Sequence, residues 1–186
     1  MKIIPLHKNE KKLIQKAVKK NRMAQQTLYE IHAPKMLSVC RMYIKDVHFA
    51  EDVMLRGFFK VFNHLDGFQH KGSFEGWVRR IMVRESIDFL RSKKEIHFSD
   101  RIENYDREED AQDYASAEAM QHLQEVIDKL PEGYKVVFVM YAVEGYKHQE
   151  IADLLSISEG TSKSQLFKAR KLLQEKLAVQ KEESHG

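Results

Sequence analysis

The sequence predicts an all-α protein: two small helical domains joined by an acidic flexible linker, the C-terminal one a helix-turn-helix. Three observations predict it. Hydrophobic residues recur with the helical period along nearly the whole chain, and no Val/Ile/Thr-rich alternating run reads as a strand. Formal charge changes sign along the 186 residues, from +11 over 1–94 to −6 over 95–117 and −2 over 118–186. The acidic stretch between, EIHFSDRIENYDREEDAQDYASA, has no clear helical period. Such a segment buries too little apolar surface to order itself. The expected domains are therefore 1–94 and 118–186, with 95–117 as the linker.

Helices are expected at about 10–20, 21–32, 34–47, 50–65, 74–92, 117–130, 132–143, 147–155 and 159–179. Pro34 and Pro131 sit where helices begin, and Gly67 and Gly145 where they end. Ala50–Leu65 is strongly amphipathic. Met54, Leu55, Phe58, Phe59, Val61, Phe62 and Leu65 form a wide apolar arc, with Asp52, Arg56, Lys60 and Asn63 on the other side. A wide arc is core, but its edge, Leu55 and Phe59 beside Asp52, is suited to dock a partner helix.

The loop Gly67-Phe68-Gln69-His70-Lys71-Gly72-Ser73 is short, polar and twice interrupted by glycine. Loops of this composition can close over a splayed base. The following stretch, FEGWVRRIMVRESIDFLRSKK, has two apolar arcs: Phe74, Trp77, Val78, Ile81, Met82 and Phe89, and opposite them Val83, Ile87 and Leu90. Arg80, Arg84 and Arg91 form a narrow stripe between the arcs, beside Trp77. An arginine stripe next to an indole suits a nucleic-acid backbone groove with stacking. The alternative is arginine stems covering apolar surface.

The C-terminal signal is sharper. In KHQEIADLLSISEGTSKSQLFKARK, a short helix His148–Leu155 is followed by a Ser156-Ile157-Ser158 turn and a second helix that Ser158 can cap. This is the helix-turn-helix pattern, whose second helix enters the major groove. On a wheel of that helix, Ser162, Leu166, Ala169 and Leu173 share the packing side. Ser164, Phe167, Lys168 and Lys171 fall near the opposite side, with Lys163 flanking. Phe167 among lysines suits a thymine methyl, Gln165 and the lysines offer donors to base edges or phosphates, and Thr161 lies where a phosphate meets a helix N-terminus.

Other function classes find little support. One cysteine rules out a disulfide framework and a Cys-based zinc site. No apolar run approaches the ~18–20 residues of a membrane span. Met1-Lys2-Ile3-Ile4-Pro5 lacks a signal-peptide core. The nine histidines form no zinc-protease pair, and no phosphate loop, nucleophile elbow or catalytic carboxylate pair is present. The expectation is a cytoplasmic, nucleoid-associated, non-enzymatic protein without cofactor or metal.

The order of parts then carries a resemblance. DGFQHKGSFEGWVRRIMV, the acidic linker, and LPEGYKVVFVMYAVEGYKHQEIADLLSISEGTSKSQLFKAR together resemble the two-domain bacterial RNA polymerase sigma factors of the extracytoplasmic-function (ECF) group, in a Bacteroidetes-like variant. The resemblance covers about residues 20–180. It implies a subunit that binds core polymerase, recognises the −10 and −35 promoter elements and melts the promoter. Asp52, Leu55, Arg56 and Phe59 would meet the polymerase clamp. Phe68, Gln69, His70, Lys71, Ser73, Trp77, Arg80, Arg84 and Arg91 would open and hold the −10 element, including a flipped base. Lys163, Ser164, Gln165, Phe167 and Lys168 would read the −35 element, with Thr161, Arg170 and Lys171 on its backbone. The linker would thread toward the active-site cleft, and an anti-sigma protein is an expected partner.

Two departures stand out. Leu55 and Arg56 occupy places where the family has Gln and an acidic residue, and Gly57 follows them. Arg84-Glu85-Ser86 replaces an Asn-Thr-Ala-like run. The first departure leaves a rival open, a helix-turn-helix regulator that does not join polymerase. A sigma-like module held by an anti-sigma protein is the other.

Overall fold

The computed structural model describes residues 6–93, 96, 98 and 124–183. Apart from Ile96 and Phe98, the expected linker lies outside the described residues, as does the start of the helix expected at 117–130. All described regular structure is helical. The chain divides into two compact units, Met1–Phe89 and Leu90–Gly186, so the division falls within a helix, a few residues before the composition boundary.

The first unit contains α1 (Leu6–Val18), α2 (Arg22–Tyr43), α3 (Val47–Asn63), a 3-10 turn (Leu65–Gly67) and α4 (Phe74–Ser92). Asn21 caps α2 by accepting from Ala24 N at 2.9 Å. Asp46 caps α3 by accepting from His48 N at 2.9 Å and Phe49 N at 3.1 Å. Each cap satisfies amide groups that the helix itself cannot.

Pro34 corrects one expectation. It begins no helix; α2 runs through it without a break. A mid-helix proline forfeits a hydrogen bond and costs ~3 kcal/mol, so tertiary packing carries α2 across it. Leu28 and Met36, one on each side, are fully buried. Further ties come from His32, whose Nε2 lies 3.0 Å from Glu10 Oε1 of α1, and from Tyr29, edge-on to Phe58 of α3.

Both apolar arcs of α4 are buried: Phe74, Val78, Met82 and Phe89 on one side, Val83, Ile87 and Leu90 on the other, with Trp77 and Ile81 half-buried. Glu85 ion-pairs with Lys60 of α3, and Lys35 of α2 pairs with Glu75 at 2.6 Å. Ser86 is fully buried and donates to Met82 O at 2.9 Å. It also hydrogen-bonds Cys40, whose thiol burial pushes up to about 11. That cysteine is a packing residue rather than a reactive one.

Gly57 is explained by the α3–α4 crossing. A Cβ there would stand 2.3 Å from Met82 Sδ, and Met82 is fully buried. Glycine allows the two helices to approach closely, which outweighs its propensity cost of up to ~1 kcal/mol. Overpacking such a crossing costs ~1–3 kcal/mol. Gly57→Leu is therefore expected to lose about 3 kcal/mol, read as a drop in urea midpoint; unchanged stability would show that the helices can separate freely.

The second unit has helical residues 124–127, then α5 (Glu132–Phe138) continuing into a π-turn (Val139–Val143), α6 (His148–Leu155) and α7 (Glu159–Glu183). Pro131 precedes α5, as its position suggested, and Gly145 takes φ 73° after the π-turn. Val126, Leu130, Ala169 and Leu173 form one core cluster, flanked by Tyr134, Phe138 and Leu172. Ile151 and Leu155 of α6 and Leu166 of α7 are buried as the wheel required.

Candidate nucleic-acid interface

The first unit builds a pocket of about 350 Å³ where α4 begins. Its walls come from the Gly67–Ser73 loop and from Gly76, Trp77 and Arg80 of α4. The floor is aromatic. Phe68 is buried, with its ring 5.4 Å from both Phe74 and Trp77, and Phe74 and Trp77 are stacked at 5.9 Å. Sequence order produces this cluster: Phe74 and Trp77 share a helix face at i, i+3, and the loop returns Phe68 onto them.

The loop's backbone matches its composition. His70 at φ 57° and Gly72 at φ 99° occupy the left-handed region, which glycine enters without strain. Ser73 Oγ accepts from Gly76 N at 3.1 Å and fixes the first turn of α4. A Cβ at Gly76 would come 3.0 Å from that oxygen, so glycine keeps the pocket wall open. The loop glycines were visible in the sequence. Gly76 was missed, although Ser73-x-x-Gly76 is a cap spacing.

Gln69, Lys71, Ser73 and Arg80 supply polar groups to this pocket, and no carboxylate lines it. The lining thus combines π-faces with hydrogen-bond donors and positive charge. Arg84 and Arg91 continue the exposed face of α4 beyond Arg80, as the stripe predicted. Of the Arg84-Glu85-Ser86 departure, only Arg84 faces outward; Glu85 and Ser86 hold the interior.

Asp52, Leu55, Arg56 and Phe59 all lie on the exposed face of α3, with Leu55 52% and Phe59 70% accessible. Arg56 is drawn back onto its own unit. Its Nε donates to Asp52 O at 3.4 Å and its guanidinium sits 5.6 Å over the Phe89 ring.

In the second unit, Ser156 at φ 56° ends α6, and Ser158 Oγ accepts from Thr161 N at 2.9 Å to start α7. Non-glycine residues accept the left-handed conformation at some cost, and here it makes the sharp turn between the helices. A stack absent from the wheel then holds α7. Arg170 lies 5.8 Å over Tyr141, Tyr141 stacks on His148 at 4.6 Å, and His148 Nδ1 lies 2.8 Å from Ser162 Oγ. The π-turn shifts Tyr141 out of helical register, so periodicity gave no signal for it.

The residues expected to contact the −35 element divide. Lys163 and Lys171 are exposed, while Phe167, Lys168 and Arg170 are half-buried. Lys163 pairs with Glu159 at 3.0 Å. Ser164 corrects the wheel: it is buried, at 2% accessibility, and so are Thr161 at 6% and Gln165 at 0%, which were expected to offer groups to DNA. Thr161 is engaged with the cap, its Oγ1 lying 2.8 Å from Ser158 Oγ, and Ser164 donates to Thr161 O at 3.0 Å. Short hydroxyl side chains at a helix start turn to local backbone in this way. Gln165 has neither amide atom hydrogen-bonded among the described residues.

Among the described residues no group of three or more His, Cys, Asp or Glu could hold a metal, and no helix is long and apolar enough to cross a membrane.

Comparison with known proteins gives a consistent picture. Residues 28–96 match the family model for Sigma-70 region 2, and residues 120–173 that for Sigma-70 region 4. The ECF RNA polymerase sigma factor SigE of Mycolicibacterium smegmatis is 30% identical over 158 residues, covering 82% of this chain and 61% of the relative. The ECF sigma factor SigW of Bacillus subtilis is 28% identical over 181 residues, covering 90% and 96%. Among solved structures, the sigma factor RpoE of Bartonella quintana in complex with the anti-sigma factor NepR aligns at TM-score 0.54. Its identity is 20%, and 83% of this chain and 96% of that one are covered. CnrH in complex with the cytosolic domain of CnrY aligns at TM-score 0.51, with 21% identity and 90% and 96% coverage. At these identities the structural likeness speaks for the fold.

Proposed function

The chain belongs to the ECF sigma factors of bacterial RNA polymerase, and from that premise we propose how its residues divide the work. The first domain, through residue 94, binds core polymerase and the −10 element. Residues 95–117 connect it to the second domain, 118–186, which binds the −35 element. The protein directs the polymerase's chemistry in the cytoplasm, at the nucleoid, and performs no reaction itself.

The observation that carries this reading is the pocket at the start of α4. An aromatic floor, donor-rich walls and the absence of a lining carboxylate suit an unstacked nucleobase beside a phosphate. Phe68 and Trp77 stack the flipped base of the −10 element. Gln69, Lys71 and Ser73 address its edge, His70 shapes the loop, and Arg80, Arg84 and Arg91 follow the strand. Trapping one base outside the duplex lowers the cost of melting its neighbours.

In the second domain, Lys163, Phe167 and Lys168 contact base edges, and Arg170 and Lys171 the backbone. Thr161 and Ser164 set the helix start. Gln165 is fully buried with its amide unpaired, which costs ~1–3 kcal/mol, and in this conformation it offers nothing to a base edge. Lys168→Ala and Phe167→Ala are each expected to weaken −35 binding by about 5- to 10-fold, roughly 1–1.4 kcal/mol. Gel-shift titration with the fold checked by circular dichroism reads this; undiminished binding in both would remove the recognition-helix assignment.

Reconstituted initiation tests the whole reading. The protein, core polymerase from a related bacterium and a pool of genomic DNA are combined, and the 5′ ends of the transcripts are sequenced. Discrete starts that share two upstream elements are expected. No starts, with no co-purification with active core, would favour a regulator outside polymerase. An anti-sigma protein is a further partner in this reading, in line with RpoE solved with the anti-sigma factor NepR and CnrH solved with the cytosolic domain of CnrY.

A further inference from the structure

α1 carries a charge pattern that neither the core of the first unit nor the base pocket uses. Lys11, Lys12 and Lys16 spread over about 140° of its outer face at 100° per residue, opposite the buried Ile14 and Ala17, and Lys19 follows in the turn. Lys20 and Arg22 extend the array through the turn into α2, and all six are exposed. No acidic residue occurs between Lys11 and Tyr29. Glu10, the carboxylate next to the array in sequence, turns inward to His32, and Asp66 stands in the Leu65–Gly67 turn that packs against α1.

This arrangement carries an energetic cost. Lys12 and Lys16 stand at i, i+4 on α1, where like charges repel by ~0.2–0.5 kcal/mol. An ordinary solvated helix face mixes signs and gains from its pairs. Among the described residues, the only side-chain hydrogen bond of this array is Lys20 Nζ to Phe62 O at 3.4 Å. That contact ties the α1–α2 turn to the end of α3. α1 packs against the Leu65–Gly67 turn, and Gly67 lines the base pocket. Lys71 and Arg80 continue positive charge on the pocket itself.

We infer that the outer face of α1 and the α1–α2 turn form a second nucleic-acid surface, which holds the DNA sugar–phosphate backbone adjoining the flipped base. The partner class is the phosphodiester backbone, because six cationic side chains outnumber the single exposed amide on that face of α1, Gln15, and no aromatic side chain lies among them. Its contribution is affinity and positioning without sequence preference. The array precedes the part of the chain that matches Sigma-70 region 2, residues 28–96, so that family match does not assign it. The inference rests on the promoter-opening reading above.

The test is promoter binding by reconstituted holoenzyme over a potassium chloride series, read by filter retention. The triple variant Lys12→Ala/Lys16→Ala/Lys19→Ala is compared with wild type and with Arg80→Ala. All three lysines are exposed helix-face or turn residues, so the fold is retained and circular dichroism verifies it. Each phosphate contact contributes ~0.7–0.9 to the slope of log affinity against log salt. The triple variant is expected to lower the slope by about 2 and affinity at 0.15 M salt by about 10- to 100-fold. The loss should be equal on promoters with altered −10 bases, and affinity for core should be unchanged. An unchanged slope, with Arg80→Ala still impaired, overturns the inference and leaves the pocket reading standing. If Arg80→Ala is also without effect, the pocket reading falls too. Loss of core affinity, or loss of binding to phosphatidylserine vesicles with the DNA slope intact, would reassign the face to polymerase or to a membrane surface.

Discussion

Replacing Leu55 and Phe59 by alanine is expected to weaken binding to core polymerase by about 100-fold or more while leaving the fold intact. The two side chains stand one turn apart on α3, more than half accessible, in a unit whose other large apolar side chains are mostly buried. Burying a Leu or Phe side chain is worth ~1.5–3 kcal/mol. Together they supply at least ~3 kcal/mol, about two decades in Kd. Such apolar anchors dominate interfaces when a polar rim excludes water around them. Asp52 and Arg56 provide that rim. Titrating labelled protein with core polymerase measures the effect, with a thermal melt as control. A loss of less than about 5-fold would exclude this face as the docking site. Arg56→Ala should change affinity only a few-fold, because its guanidinium already rests on the Phe89 ring and its Nε on a backbone carbonyl. The departure at Arg56 is thus an altered rim, and the apolar anchor next to it remains available.

Much of this was legible in the sequence because helical periodicity reports which face is buried. The two arcs of α4, the arginine stripe between them and the exposed edge of α3 all follow from a 3.6-residue period. The Gly67–Ser73 loop was legible from its glycines, which permit the positive φ now seen at Gly72. Three features were not legible. Pro34 looked like a helix start because local propensity is overridden when Leu28 and Met36 are both buried. The Tyr141–His148 stack depends on a π-turn, which breaks the period that the reading used. Ser164 looked open on the wheel, and Thr161 and Gln165 were expected to offer groups to DNA, but a wheel gives direction and carries no information about what lies against that side. The role of Gly57 was invisible for a related reason, since it exists only at the crossing with Met82.

Trp77→Ala is expected to cut promoter opening by about 10- to 100-fold while barely changing recognition of a duplex −35 element. Stacking of a base on an aromatic side chain is worth ~1–3 kcal/mol, and Trp77 is the only indole in the chain. Its ring is held by Phe68 and Phe74, so the stacking face is fixed before the base arrives. Pre-organisation of this kind avoids paying side-chain entropy on binding. Trp77→Phe keeps a π-face and should recover much of the activity, which separates stacking from mere support of the fold. Permanganate footprinting of unstacked thymines reads opening, and gel shift on duplex −35 DNA reads the second domain. Trp77 also provides its own signal, since its fluorescence should be quenched when a single-stranded −10 fragment binds to holoenzyme. Phe68→Ala should reduce that quenching by loosening the ring beneath it. Normal footprints in Trp77→Ala would mean that the pocket receives no base, and the aromatic cluster would then be only the end of the hydrophobic core.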